Sequence, residues 1–233
     1  MAVMLKVRDK LMDLFFPQVR CMACGGTEEV RSGVCAACRS SMERYPAQVE
    51  ARQPYAAARA LFVYEGVART LVHRMKFEGQ YDLPVRLFAQ EMNAALREAG
   101  WRIDCVTAVP ITPKTLRKRG YNQAEKLAKR LCHLSGLRME RRVIKKKRGT
   151  RSQVGLSAQE RRRNLTGALL PDKRHKSVAG KRVLLIDDVY TTGATAKICA
   201  QTLLACGAQE VYVLCAARVA DKALEQYLAG KME

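Results

Sequence analysis

Aromatic residues are scarce in this chain: Phe, Tyr and Trp make up 6% of its 233 residues, with a single Trp. Extensive stacking on nucleobases is therefore a minor resource. Acids are also few, 22 against 42 Lys and Arg, and the resulting formal charge of +20 makes polyanionic partners plausible. No apolar run approaches the roughly 20 residues that a membrane span needs. Asp9, Lys10 and Asp13 interrupt the apolar residues at the N-terminus, which therefore does not read as a signal peptide. Neither a G-x-x-x-x-G-K-[ST] phosphate loop nor a G-x-G-x-x-G dinucleotide turn occurs, so two common nucleotide-binding designs are excluded. Internal repeats and low-complexity segments are missing too.

What is present begins with cysteine. Cys105, Cys132, Cys199, Cys206 and Cys215 fall in helical or strand patterns, where they serve as small apolar groups, and such usage suits a reducing cytoplasm. The other four form two C-x-x-C pairs, Cys21/Cys24 and Cys35/Cys38, separated by the ten residues 25–34. Each pair can present two thiolates to one metal, and four thiolates with no spare position fit closed, structural zinc. A disulfide is the minor alternative, and catalytic zinc lacks a nearby histidine or carboxylate. A helix over residues 3–16 and this finger make a first unit, 1–45, leaving 46–233 as a second.

The second unit reads as α/β. Its main signal is Arg182 to Asp188, a run of branched apolar residues ending in Asp187 and Asp188, followed by Val189, Tyr190, Thr191, Thr192, Gly193, Ala194 and Thr195. The run predicts a strand buried on both faces. The loop precedes a helix with Ile198, Leu203 and Cys206 on one face, so it lies at a helix N-terminus that favours phosphate. Threonine hydroxyls can donate to phosphate oxygens, whereas the acids suit ribose hydroxyls or magnesium.

A related unit precedes it. A strand over Ile103–Pro110 leads to a basic loop, Ile111 to Tyr121, carrying Lys114, Arg117, Lys118 and Arg119; Asn122 and Glu125 then form a capping-box pattern at the start of a helix. In a parallel sheet both loops open on one edge, where ligands bind. Further strands are expected at Arg59–Tyr64, weakly over 141–147, near Leu165–Leu170 and at Val211–Ala217. Further helices are expected at Val67–Lys76, Leu83–Ala99 and Lys222–Leu228. Lys76, close to a helix end, could reach a phosphate but reads first as a partner of the helix dipole. Residues 138–163 concentrate cations against only Glu140 and Glu160. Most of this stretch falls in Arg148 to Asn164, a long basic loop of the kind that forms lids.

The segment Arg182 to Thr195 resembles the phosphoribosyl pyrophosphate (PRPP) motif of type I phosphoribosyltransferases. The whole chain resembles the ComF family of competence-associated proteins. Four segments carry the likeness: the four cysteines; Arg119-Gly120-Tyr121-Asn122-Gln123; the spaced set Arg148, Thr150, Gln153, Leu156, Arg161 and Asn164; and Ile186 to Thr195. The resemblance implies a type I phosphoribosyltransferase-like parallel sheet flanked by helices, behind a small four-cysteine zinc finger. It implies PRPP or a related phosphosugar as ligand, with magnesium. Asp187 and Asp188 would hold the ribose, residues 191–195 the 5′-phosphate, and Arg117, Arg119 and Gly120 the pyrophosphate. Arg148, Thr150, Gln153, Arg161 and Asn164 would form the lid. Relatives tied to uptake of transforming DNA imply single-stranded DNA and competence proteins as partners. Nucleotide salvage, with transfer of ribose 5-phosphate to a base, and a non-catalytic adaptor are the rival functions. Ala108, Thr112 and Thr115 depart from the family pattern, which has proline, histidine and arginine there, so the loop lacks a proton carrier and a cation.

Overall fold

The structure, a computed structural model, describes residues 20–46, 54–146 and 169–220. In chain order its elements are α1 (Ala36–Ser40), β1 (Ala57–Val63), α2 (Gly66–Phe77), α3 (Asp82–Ala99), β2 (Cys105–Ala108), α4 (Pro113–Arg119) and α5 (Gln123–Ser135). There follow β3 (Arg138–Met139), β4 (Ile144–Lys146), β5 (Leu169–Pro171), a 3₁₀ turn at His175–Val178, β6 (Arg182–Tyr190), α6 (Ala194–Ala205) and β7 (Glu210–Arg218). Five strands make one parallel sheet in the order β1-β7-β6-β2-β3, while β4 and β5 pair antiparallel apart from it. The expected helix at 3–16, the Arg148 to Asn164 segment and the helix at 222–228 lie outside the described residues.

β6 occupies the middle because its residues leave no polar face. Val183, Leu184, Leu185 and Ile186 are each fully buried. Alternate side chains point to opposite faces of a strand, so one run supplies two cores. Leu184 and Ile186 pack with Val106, Leu71, Met75, Phe88 and Leu127 beneath α2, α3 and α5. Val183 and Leu185 pack with Cys105, Cys199 and Leu203 beneath α6. Of the five cysteines assigned to apolar roles, all but Cys132 are buried, and it is half-buried.

Two expectations need correction. The basic stretch expected as a loop contains a helix, α4. Thr112 caps it by accepting the Thr115 amide at 3.1 Å, Pro113 opens it, and Gly120 at φ 82° closes it. These are strong local signals for a start and a stop, and the run of cations had masked them. The capping box at α5 is also incomplete. Asn122 Oδ1 accepts the Ala124 amide at 3.1 Å, as expected of a cap, but Glu125 pairs with Arg141 instead of reaching back.

The cysteine-bearing segment shares the first core, where Cys21, Met22, Val34, Cys35 and Met42 are buried. Beyond it the chain pairs with the free edge of β1: Val63 donates to the Glu43 carbonyl and Tyr45 to that of Leu61, both at 2.9 Å. Part of the expected 39–57 connection is thus edge cover, which blunts an otherwise open strand. Among the described residues no helix is long and apolar enough to cross a membrane.

Candidate functional site

β6 carries the acids to the C-terminal edge of the sheet and continues past them to Tyr190. Being adjacent on a strand, Asp187 and Asp188 leave it on opposite faces. Asp187 is half-buried, and its Oδ1 accepts the Asp188 amide at 2.9 Å. Burial, then the neighbouring Asp188 charge, pushes its carboxyl up to about 7. Asp188 is buried on the α2 side, where Lys76 Nζ lies 2.9 Å from Oδ1. Its other oxygen, Oδ2, is buried with no hydrogen-bond partner among the described residues. Such an atom is costly to leave bare, so the geometry calls for a donor or a cation beside it. Lys76 therefore does more than balance its own helix dipole, correcting the expectation: it is the counter-ion of the acid pair. The end of α2 docks over β6 from a distant part of the chain, and no local pattern announces that contact.

The turn after β6 faces outward. Thr191 and Thr192 are exposed, and Ala194 and Thr195 half-buried. Gly193, at φ 75°, permits the left-handed bend, and Tyr190 makes glycine obligatory there. A Cβ at this position would fall 2.2 Å from the Tyr190 hydroxyl. Tyr190 is itself fixed by Tyr55, hydroxyl to hydroxyl at 2.6 Å, and by the Arg218 guanidinium 5.2 Å from its ring. α6 begins directly after Gly193, which has no side chain to cap the first amides, although Ala194 donates to Thr192 Oγ1 at 3.3 Å. The bend thus presents hydroxyls and a helix N-terminus on a rigid base.

Beside this edge a cavity of about 510 Å³ is lined by Lys76, Phe77, Gly79, Lys114, Thr115, Lys118, Arg119 and Tyr121. Four of these are cations and none is an acid. Arg119 lies where the sequence placed it, donating to Gln123 Oε1. Arg117 and Gly120 belong to the same helix and its cap but do not line the cavity. Tyr121 joins the halves by donating to the Met75 carbonyl at 2.6 Å, which fastens the α4–α5 turn to the end of α2. Lys76 and Phe77 were missed as wall residues, and Tyr121 was visible only as part of the Arg119-Gly120-Tyr121 motif. Thr112 and Thr115, where the family pattern has histidine and arginine, hydrogen-bond to each other at 2.8 Å and serve as helix cap. The lid residues Arg148, Thr150, Gln153, Arg161 and Asn164 lie outside the described residues.

The sulfurs of Cys21, Cys24, Cys35 and Cys38 lie within 4.8 Å of one another. Gly25, at φ 79°, turns the first knuckle, where Gly25 donates to the Cys21 carbonyl at 2.8 Å. Amides of Ala23, Gly26 and Cys38 point at sulfurs, each at 3.4 Å. Burial works to raise the Cys21 thiol, yet the backbone amides of Cys24, Cys35 and Ala23 and the neighbouring Cys24 thiol hold it down at about 6. Burial and the other thiols push Cys38 up to about 12. A cluster that resists holding several thiolates by itself is one a divalent metal stabilises. The donor set suits tetrahedral zinc.

Comparison with known proteins matches two family profiles. A family profile described as a phosphoribosyl transferase domain matches residues 115–229, and one described as a double zinc ribbon domain matches residues 11–49. Residues 11–49 contain four cysteines and no histidine, ligands for a single zinc. DNA utilization protein YhgH of Salmonella typhimurium is 36% identical over 152 residues, 64% of this chain and 66% of that one. The matched region therefore spans just under two thirds of that relative's length. Competence protein F of Haemophilus influenzae is 26% identical over 221 residues, 85% of this chain and 96% of that one. ComFC of Bacillus subtilis is 26% identical over 188 residues, 79% and 71%. Orotate phosphoribosyltransferase of Mycobacterium tuberculosis, a solved structure, gives a TM-score of 0.40 at 18% identity over 67% of this chain and 70% of that one, a likeness too loose to carry any inference. The parallel sheet with its flanking helices, the four-cysteine ribbon and these relatives make the chain a member of the ComF family, whose large domain has the phosphoribosyltransferase fold.

Proposed function

We propose that this protein binds PRPP, or a related phosphosugar, with magnesium at the shared edge of β2 and β6, binds single-stranded DNA on its basic surface, and acts in the cytoplasm in DNA uptake and processing during natural transformation. The observation that carries the phosphosugar half is Asp188, a buried carboxylate with one oxygen on Lys76 and the other bare, beside an all-cationic cavity. The names of the relatives, competence protein F and DNA utilization protein, support the DNA half.

In a phosphoribosyl transfer the bond between the anomeric carbon and pyrophosphate breaks. Positive charge grows on the ribose and negative charge on the leaving group. Thr191, Thr192, Gly193 and Thr195 take the 5′-phosphate, and Asp187 and Asp188 orient the ribose hydroxyls. Arg119, with Lys76, Lys114 and Lys118 of the cavity wall, neutralises pyrophosphate. Asp187 and Asp188 would be the residues to hold magnesium, which would supply positive charge to offset the negative charge of the leaving group. Arg148, Thr150, Gln153, Arg161 and Asn164 serve as the lid that excludes water. Because Thr112 and Thr115 cap a helix where the family pattern has a histidine and an arginine, ligand holding is favoured over rapid turnover.

Calorimetric titration with PRPP, with and without magnesium, tests this. Saturable heat that needs Asp188 supports it, and a flat trace in wild type would leave an adaptor role. Pyrophosphate release with PRPP, magnesium and a panel of bases would instead move the assignment to nucleotide salvage, which the complete PRPP loop also permits.

A further inference from the structure

Among the described residues Phe77 is the most exposed large hydrophobic side chain, 65% open to solvent. Other aromatic rings are taken up by one another: Tyr81 lies against Tyr121 at 4.4 Å, Trp101 against Tyr212 at 5.2 Å and Phe62 against Phe88 at 6.1 Å. A single exposed phenylalanine ordinarily needs no explanation. The setting of this one does, since it stands on the wall of the cationic cavity. The Arg119 guanidinium lies 5.4 Å from its ring centre and the His73 ring 4.8 Å away. The nearest acid in sequence, Glu78, is turned toward His73 and Arg74 at 3.3 and 3.8 Å. An apolar ring thus sits beside Lys114, Lys118 and Arg119, and no acid lines this cavity among the described residues, while Lys76 on the same wall is held by Asp188 at 2.9 Å.

We propose that Phe77 is a stacking platform for one base of single-stranded DNA, whose adjoining phosphates lie on Lys118 and Arg119. This rests on the single-strand half of the function proposed above and gives it a location. An unpaired base offers its face to the ring, which a paired base cannot, and aromatic stacking flanked by cations is how proteins hold single strands regardless of sequence. The platform shares Lys76 and Arg119 with the pyrophosphate position, so a strand and a pyrophosphate-bearing ligand exclude each other. The low aromatic content of the chain is then no obstacle, because one well-placed ring anchors the strand while the cations supply the rest.

The test is fluorescence anisotropy of a labelled oligothymidylate with wild type, Phe77→Ala, Phe77→Leu and Phe77→Trp. Stacking on one base predicts a Kd raised roughly 5- to 150-fold in the alanine and leucine variants, with tryptophan equal to wild type or tighter. The dependence on salt should stay the same across the series, because no cation is removed. Magnesium pyrophosphate in excess should release the oligothymidylate from wild type. The melting temperature of the alanine variant should match wild type, since the ring is 65% open to solvent. Equal oligonucleotide affinity in alanine and wild type overturns the platform, and so, in a protein that binds PRPP, does bound oligonucleotide that pyrophosphate leaves in place. Wild type that takes PRPP but no oligonucleotide also overturns it and leaves the phosphosugar site standing. Binding of oligonucleotide through Phe77 without any PRPP binding keeps the platform and removes the phosphosugar site.

Discussion

The β2–α4–α5 and β6–α6 units share one topology and meet at one edge, yet they prepare that edge by opposite means. After β2 the chain inserts a helix, α4, and the positive charge is carried by side chains projecting from it. After β6 it turns within three residues into α6, and polarity comes from hydroxyls, a helix N-terminus and two acids. Side-chain cations on a ridge are adjustable, and losing one leaves the others. The bend at Gly193 is fixed by the Tyr190 side chain beneath it, so little can be altered without losing the whole feature. One edge therefore pairs a rigid half that reads shape with a tolerant half that supplies charge.

The sharpest way to break that contrast is Gly193→Val. A branched side chain in the left-handed region, driven into Tyr190, should abolish PRPP heat in calorimetry and lower the melting temperature by several degrees, because backbone strain alone costs roughly 1–3 kcal/mol. Asp188→Asn comes next. It leaves Lys76 without its partner and removes the acid from the ribose position, and a drop in PRPP affinity of roughly 10- to 100-fold is expected, as for a charge-assisted hydrogen bond worth about 1.5–3 kcal/mol. Unchanged affinity would refute the assignment. Arg119→Gln on the tolerant side should cost less, about 3- to 10-fold in PRPP affinity with little change in melting temperature, because three other cations line the same wall. An Arg119 effect as large as that of Asp188 would erase the distinction between the halves.

The smallest effect is a pH dependence. The folded Asp187 carboxyl titrates at about 7, above its ordinary range. Below that ordinary range both folded and unfolded chains hold the proton, and the folded state has its full advantage. As pH rises toward 7 the unfolded chain releases the proton while the folded one keeps it, so stability falls, and it levels off above about 7. Wild type should lose a few degrees of melting temperature between pH 5 and pH 8 that Asp187→Asn does not lose, measured by thermal scans at matched ionic strength.

Much of this was legible along the chain because the signals are local. Val183 to Ile186 could only be a strand covered on both faces, and Gly100 and Gly136 ended helices as their left-handed backbones allow. The C-x-x-C spacing foretold four sulfurs around one point. The helix α4 was missed although Thr112, Pro113 and Gly120 all mark it, because the density of cations suggested a solvated loop. Lys76 was misread for a different reason. Its partner Asp188 is remote in sequence, and a lysine at a helix end has an ordinary local use. Phe77 showed no sequence signal, since a lone aromatic at a helix end is more often core than surface.

By itself, then, the sequence determined the order of the main strands and helices apart from α4, the thiol cluster and the acid-hydroxyl bend, because each depends on backbone preference or spacing over a few residues. Only the tertiary structure decided which cation meets the buried acid, which side chains wall the cavity and where an aromatic ring stays uncovered. Those are contacts between segments far apart in the chain, fixed by how α2 and α4 dock over one edge of the sheet, and short-range preferences carry no record of them.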